Sequence, residues 1–175
     1  FVQWRCDDVI RNKAVLPKMR KAGIHWIMVG VESPVDSTLE SFKKGITPND
    51  AFEAVKIIKE NNIFAHAMFI IGERKDTAKS IANLREFVND LDPDFAIFTA
   101  LTPFPGTEVF EEAKRNGWIE DFNWSHYDMA HAIMPTETLS RKQVQEELFR
   151  CYRSFYGSWS RRLGGIFAKN SLKRK

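Results

Sequence analysis

Cysteine is scarce: the 175 residues include only Cys6 and Cys151, far apart and without a second ligand at metal-chelate spacing. That excludes a disulfide framework and makes a reducing, cytoplasmic compartment the expectation. No apolar stretch reaches the roughly 18–20 residues needed to cross a bilayer, and no segment has the regions of a signal peptide. Charge is nearly balanced, with 26 basic against 23 acidic residues and a net of +3, which gives no electrostatic footing for nucleic acid. The local excess is "SRRLGGIFAKNSLKRK" at the end, six basic residues and no acid, which reads as a solvated tail. No nucleophile elbow, phosphate loop or dinucleotide fingerprint occurs. His25, His66, His126 and His131 match no metal-site spacing, and core or surface roles are expected for them.

What the chain does have is rhythm. Short apolar runs rich in β-branched and aromatic residues alternate with longer amphipathic stretches, the pattern of βα units on a parallel sheet. Four units are expected, with strands at "FVQW", "IHWIMVGV", "IFAHAMFIIG" and "DPDFAIFTAL". The second is apolar enough to be buried on both faces. A helix over about residues 8–22, stopped by Gly23, follows the first strand. "SPVDSTLESFKKG" reads as a short helix closed by Gly45. Thr47 and Pro48 open the next, whose residues Ala51, Phe52, Ala54, Val55, Ile57 and Ile58 make one stripe. Further helices start near Thr77, at "EVFEEAKRNG" and after Ser140, and "IEDFNWSHYDMAHAIMPTE" is irregular and aromatic. Periodicity leaves an open doubly wound sheet and a (β/α) barrel segment equal. Residues 1–119 form the strand-bearing part and 120–175 an aromatic linker, an amphipathic helix and the basic tail.

Both architectures bind ligands outside the carboxyl ends of their strands. There the chain carries Gly30-Val31-Glu32-Ser33-Pro34, then Gly72-Glu73-Arg74-Lys75-Asp76-Thr77, then Thr102-Pro103-Phe104-Pro105-Gly106-Thr107. Glycine admits a close ligand, and proline stiffens the rim. Glu32, at the end of an apolar strand, needs a cation or several donors, whether from a structural partner or from a ligand's amine or hydroxyl. Lys43 and Lys44 alone read as a solvated pair at a helix end.

Together these stretches resemble the carboxyl-terminal part of a radical SAM domain. "LPKMRKAGIHWIMVGVES", "TLESFKKGIT", "AMFIIGERKDT", "TALTPFPGTEVFEEAKRNGWI" and "WSHYD" carry the likeness in order. It is to the group with an amino-terminal cobalamin-binding domain, and to its anaerobic magnesium-protoporphyrin IX monomethyl ester oxidative cyclase branch, whose aromatic end "RSFYGSW" resembles. The resemblance implies an α/β fold, four βα units of a partial (β/α)6 TIM-like barrel plus a terminal helix. It implies S-adenosylmethionine held by Glu32 and Ser33 at its ribose or amino group and by Lys44 at its carboxylate. Ile70 and Gly72 would lie along the adenine, and Thr102, Pro103 and Pro105 would form the far wall. It further implies a [4Fe-4S] cluster, cobalamin, a small-molecule substrate and a 5′-deoxyadenosyl radical that abstracts hydrogen.

Two departures stand out. The family's Leu-Pro-Gly-Glu-Thr after "FIIG" is replaced by Glu73-Arg74-Lys75-Asp76-Thr77, and its CxxxCxxC is absent. Phe1 and "FVQW" read as a strand under way, so the chain is expected to be part of a longer enzyme whose cluster and cobalamin domains lie upstream, and to lack turnover alone. Its first strand is expected to leave an edge open to self-association. The alternative is a cluster-free α/β binding or scaffold domain.

Overall fold

The structure, a computed structural model, describes residues 1–157; the basic tail expectation lies outside the described residues. Four strands, β1 (Val2–Arg5), β2 (Trp26–Glu32), β3 (Phe64–Ile71) and β4 (Phe95–Ala100), form one sheet in the order β1-β2-β3-β4. Every pair is parallel. The order never reverses, so the sheet has no topological switch point of the doubly wound kind and is a run of barrel staves.

The helices sit where the sequence pattern puts them, with one exception. The stretch expected as one helix over 8–22 is α1 (Cys6–Arg11), a 3-10 turn at Lys13–Val15 and α2 (Leu16–Lys21). Pro17 is the cause: its ring and missing N–H fit the first turn of a new helix but not the middle of an old one. Helix α3 (Asp36–Ser41) is followed by α4 (Pro48–Glu60), α5 (Ala78–Leu91), α6 (Glu108–Arg115) and α7 (Arg141–Tyr156). Thr47, Thr77 and Ser140 each form a reciprocal capping box, satisfying orphan N–H groups at both ends of the first turn.

Burial alternates along the strands. Ile27, Val29, Val31, Ala65, Ala67, Phe69, Ile71, Ala96 and Phe98 are buried beneath the helices. Trp26, Met28, Gly30, Phe64, His66, Met68, Ile70, Phe95 and Ile97 occupy the other face and are half-buried. The expectation that β2 is buried on both faces is thus corrected: only the helical face is fully covered by described residues. This inner face is a largely apolar wall, with Trp26 stacked on Phe95 at 4.3 Å.

Helix α7 closes the far edge of the sheet. Tyr156 Oη accepts from the Ala96 N–H at 3.1 Å and donates to its carbonyl at 2.7 Å. One turn earlier, Tyr152 Oη accepts from the Phe98 N–H at 3.2 Å and donates to its carbonyl at 2.9 Å. Two side chains at i and i+4 on a helix are about 6 Å apart, close to the two-residue repeat of a strand, so the hydroxyls replace a fifth strand. The Ala100 N–H finishes the edge by donating to the Met129 carbonyl at 2.8 Å. Buried Glu147 of α7, paired with Arg85 of α5 and with Arg150 one turn along its own helix, ties α7 to α5.

Candidate functional site

Parallel strands bring every carboxyl tip to one end of the sheet, and the tips after β2, β3 and β4 stand there side by side. The β2 tip is irregular. Pairing with β3 slips between Gly30 and Glu32, and Glu32 has φ +68°, a left-handed conformation unusual for its type. The slip turns its carboxylate into the protein, where the residue is 2% exposed.

There Lys44 Nζ meets Glu32 Oε1 at 2.6 Å, while Glu32 Oε2 has no hydrogen-bond partner among the described residues. A buried carboxylate oxygen without a donor costs several times a satisfied hydrogen bond, so the pair is incomplete. Gly30 makes the geometry possible: a Cβ there would stand 2.4 Å from Glu32 Oε1 and 3.1 Å from Lys44 Nζ. The ammonium arrives from the turn after α3, in which Lys43 (φ +53°) and Gly45 (φ +63°) are left-handed. The bland reading of Lys44 as a solvated helix-end cation is therefore replaced by an ion pair. A pocket of about 350 Å³ opens at the pair, lined also by Gln3, Arg5, Asp8, Met28 and Met68.

The other candidate residues divide. Ser33 is buried, but its Oγ accepts from the Val35 N–H at 3.1 Å and shapes the turn into α3. Ile70 lies on the same inner face as Met68, one strand repeat nearer the tip. Gly72 has φ +84°, donates its N–H to Asp76 Oδ2 at 2.9 Å, and sits where a Cβ would be 3.0 Å from Val144 of α7. Thr102 is buried, with its hydroxyl donated to the Ala100 carbonyl at 3.0 Å. Pro103 is buried beside it, whereas Pro105 is exposed with Phe104. Thr107 closes that turn on the Phe104 carbonyl and caps α6. Glu32 and Lys44 thus line the pocket, and Ser33, Gly72 and Thr102 already have internal partners.

The loop after β3 shows what replaced glycine and proline. Asp76 Oδ2 accepts from the N–H groups of Gly72 and Glu73, and Ser80 donates to Oδ1. Burial pushes the Asp76 carboxyl up from its ordinary range, against those hydrogen bonds. Arg74 lies 4.2 Å over the Trp118 ring and donates to the Pro135 carbonyl, tying the loop to the aromatic segment. Across the mouth, Lys43 Nζ and Glu108 Oε2 approach to 3.5 Å, which brings the turns after α3 and β4 together.

Neither cysteine is available to a metal. Burial pushes the Cys6 thiol up to about 12 and the Cys151 thiol up to about 11, and both stay protonated at neutral pH. Among the described residues no group of three or more His, Cys, Asp or Glu could hold a metal ion, and no helix is long and apolar enough to cross a membrane. Sequence reasoning missed Arg5 and Asp8. The carboxyl-end rule, applied to the first strand as to the others, points to both.

Comparison with known proteins gives this geometry its context. The family model for the radical SAM superfamily matches residues 1–88, half of the chain. The chain is 34% identical over 157 residues to an uncharacterized methyltransferase of Pyrococcus horikoshii, covering 89% of this chain and 34% of that protein. It is 32% identical over 159 residues to the anaerobic magnesium-protoporphyrin IX monomethyl ester cyclase of Cereibacter sphaeroides, covering 89% and 26%. To the bacteriochlorophyllide d C-12(1)-methyltransferase of Chlorobaculum tepidum it is 28% identical over 159 residues, covering 89% and 34%. The chain thus spans a quarter to a third of the length of these relatives. Among solved structures, coproporphyrinogen III oxidase (HemN) from Escherichia coli superposes with a TM-score of 0.62 at 15% identity, covering 89% of this chain and 31% of that one. Elp3 of Methanocaldococcus infernus gives 0.60 at 17%, covering 89% and 41%. Consecutive parallel staves, the ordered motifs at their tips and the family match over the first half converge: the chain belongs to the radical SAM superfamily.

Proposed function

We propose that the chain is the carboxyl-terminal portion of a radical SAM barrel whose Glu32–Lys44 pair holds S-adenosylmethionine. The carrying observation is the unpartnered Glu32 Oε2 beside an ammonium with N–H groups to spare. A ligand that offers a donor to the carboxylate and an acceptor to the ammonium completes both, and the sugar and amino-acid ends of S-adenosylmethionine offer such groups. The cradle over Gly30, which a Cβ would fill, fits the same reading. Ile70, with Met68, supplies apolar inner-face surface for the adenine. Ser33, Gly72, Thr102, Pro103 and Pro105 are proposed to shape the rim, since their polar groups are engaged within the protein or absent.

When bound and reduced by a [4Fe-4S] cluster, S-adenosylmethionine supplies a 5′-deoxyadenosyl radical for hydrogen abstraction. The residues of this chain do not fit the cluster itself: its two thiols are buried and protonated, so the proposed ligands lie outside it. What the chain does is bind and orient the cofactor, and keep water from the inner wall formed by Trp26, Met28, Met68 and Phe95. A cobalamin domain outside the chain, a cytoplasmic location and a division at residues 119/120 into barrel and adjunct belong to the same proposal. So does association through the single-sided β1 edge.

The reaction proposed for the whole protein is oxidative ring closure on a porphyrin ester, supported by the 32% identity to the Cereibacter sphaeroides cyclase. Methyl transfer is the second reading, favoured by the relative at 34% being named a methyltransferase. Anaerobic reconstitution of the full-length protein tests both. Production of 5′-deoxyadenosine with hydrogen loss from the porphyrin ester supports the first, and a methylated product supports the second. Absence of 5′-deoxyadenosine with a loaded cluster, by contrast, supports a binding or scaffold domain.

A further inference from the structure

We propose that Arg5 is a positioning residue for Lys44. It reaches across 39 residues of sequence to donate from Nη2 to the Lys44 carbonyl at 2.6 Å. Its Nε donates to Asp7 Oδ1 at 2.9 Å, which fixes the guanidinium against the start of α1. The Lys44 N–H is separately held by the Leu39 carbonyl at 3.0 Å. With both backbone groups pinned and a left-handed residue on each side, the Cα–Cβ vector of Lys44 is fixed, and the ammonium on its stem meets Glu32.

This is a task for arginine. A planar fork can grip a carboxylate and a carbonyl with different nitrogens at fixed angles, whereas a lysine ammonium is a point donor on a flexible stem. Arg5 side-chain exposure is 49%, so the residue contributes little to the core and its substitution leaves the packing intact. It stands at the carboxyl end of β1 and lines the same pocket as Glu32 and Lys44. The chain of contacts therefore runs from Asp7 through Arg5 and the Lys44 backbone to the Glu32 carboxylate.

Only the consequence for ligand affinity rests on the proposed function; the effect on Lys44 does not. The test is the side-chain ammonium resonance of Lys44 in the 15N-labelled full chain, assigned by its loss in Lys44→Met. It is recorded for wild type, Arg5→Lys, Arg5→Gln and Asp7→Asn, with calorimetric titration of S-adenosylmethionine alongside. Wild type gives a protected resonance. Arg5→Gln and Arg5→Lys are expected to speed its exchange about tenfold, and Asp7→Asn by less, with melting temperatures little changed. Asp7→Asn carries the test should an Arg5 variant fold poorly. An unchanged Lys44 signal in every folded variant overturns the proposal, including the case in which affinity falls, because Arg5 then acts on the ligand directly. A lost signal with unchanged affinity upholds the positioning role and overturns the reading of the pair as the cofactor clamp.

Discussion

The two edges of the sheet are built on opposite plans. Along β4 the outward backbone groups of Ala96 and Phe98 are taken up by tyrosine hydroxyls, and the Ala100 N–H by the Met129 carbonyl. Along β1, among the described residues, strand pairing exists on one side only. The incomplete ion pair lies on the open side, between the tips of β1 and β2, while the tip of β4 has its polar groups engaged. Buried polar groups are normally paired, so the unpartnered Glu32 Oε2 on the open side is the atom to which the proposed ligand is assigned.

The closed edge depends on groups that substitution can remove. Arg85→Ala leaves buried Glu147 with only exposed Arg150, and is expected to cost about 3 kcal/mol in urea denaturation. Tyr152→Phe combined with Tyr156→Phe keeps the rings and removes both hydroxyls, for a loss of about 2 kcal/mol. With the β4 N–H and C=O groups of Ala96 and Phe98 left unpaired, that variant should also show stronger concentration-dependent association in sedimentation than wild type. A double variant as stable and as monodisperse as wild type contradicts the edge-closing role.

The open side responds to a smaller change. Gly30→Ala places a methyl group against the ends of Glu32 and Lys44, which can swing away, so the fold survives. Affinity for S-adenosylmethionine should drop about tenfold. The mildest effect is at the aromatic segment. The hydrogen bond from His126 holds the Asp121 carboxyl below its ordinary 3.8, and that from His131 does the same for Asp128. Carboxyls depressed by folding stabilise above the unfolded value and lose that contribution as pH falls through the folded one. The protection of the amides over residues 120–131, read as exchange relative to the intrinsic rate at each pH, should therefore hold from neutral pH down to about 4 and fall below it. Loosening on the alkaline side contradicts this assignment.

The βα rhythm, the helix starts at Thr47, Thr77 and Ser140, and the need of Glu32 for a cation partner were legible because each depends on local spacing or on a charge in an apolar run. The break at Pro17 was legible in principle, as proline carries its own signal, but the flanking helical periodicity masked it. The tyrosine closure was not legible: Tyr152 and Tyr156 read as helix surface until β4 is known to lie beneath them. The division among candidate site residues was hidden for a similar reason. Whether the Ser33, Gly72 or Thr102 donors and acceptors are free depends on Val35, Asp76 and Ala100, and nothing in the type of residue declares it. Arg5 lay within reach of the strand-end rule, but its partner, a backbone carbonyl, leaves no mark in sequence.

The unpartnered oxygen of Glu32 is the proposed point of ligand entry. Titrating S-adenosylmethionine into wild type and Glu32→Gln, with amide shifts followed by NMR, tests it directly. Shifts are expected at Gly30, Glu32, Lys44 and Met68, with affinity about tenfold lower in Glu32→Gln, whose amide offers a weaker acceptor and no charge to Lys44. Equal affinity in the two proteins, or shifts confined to the turn after β4, would contradict it.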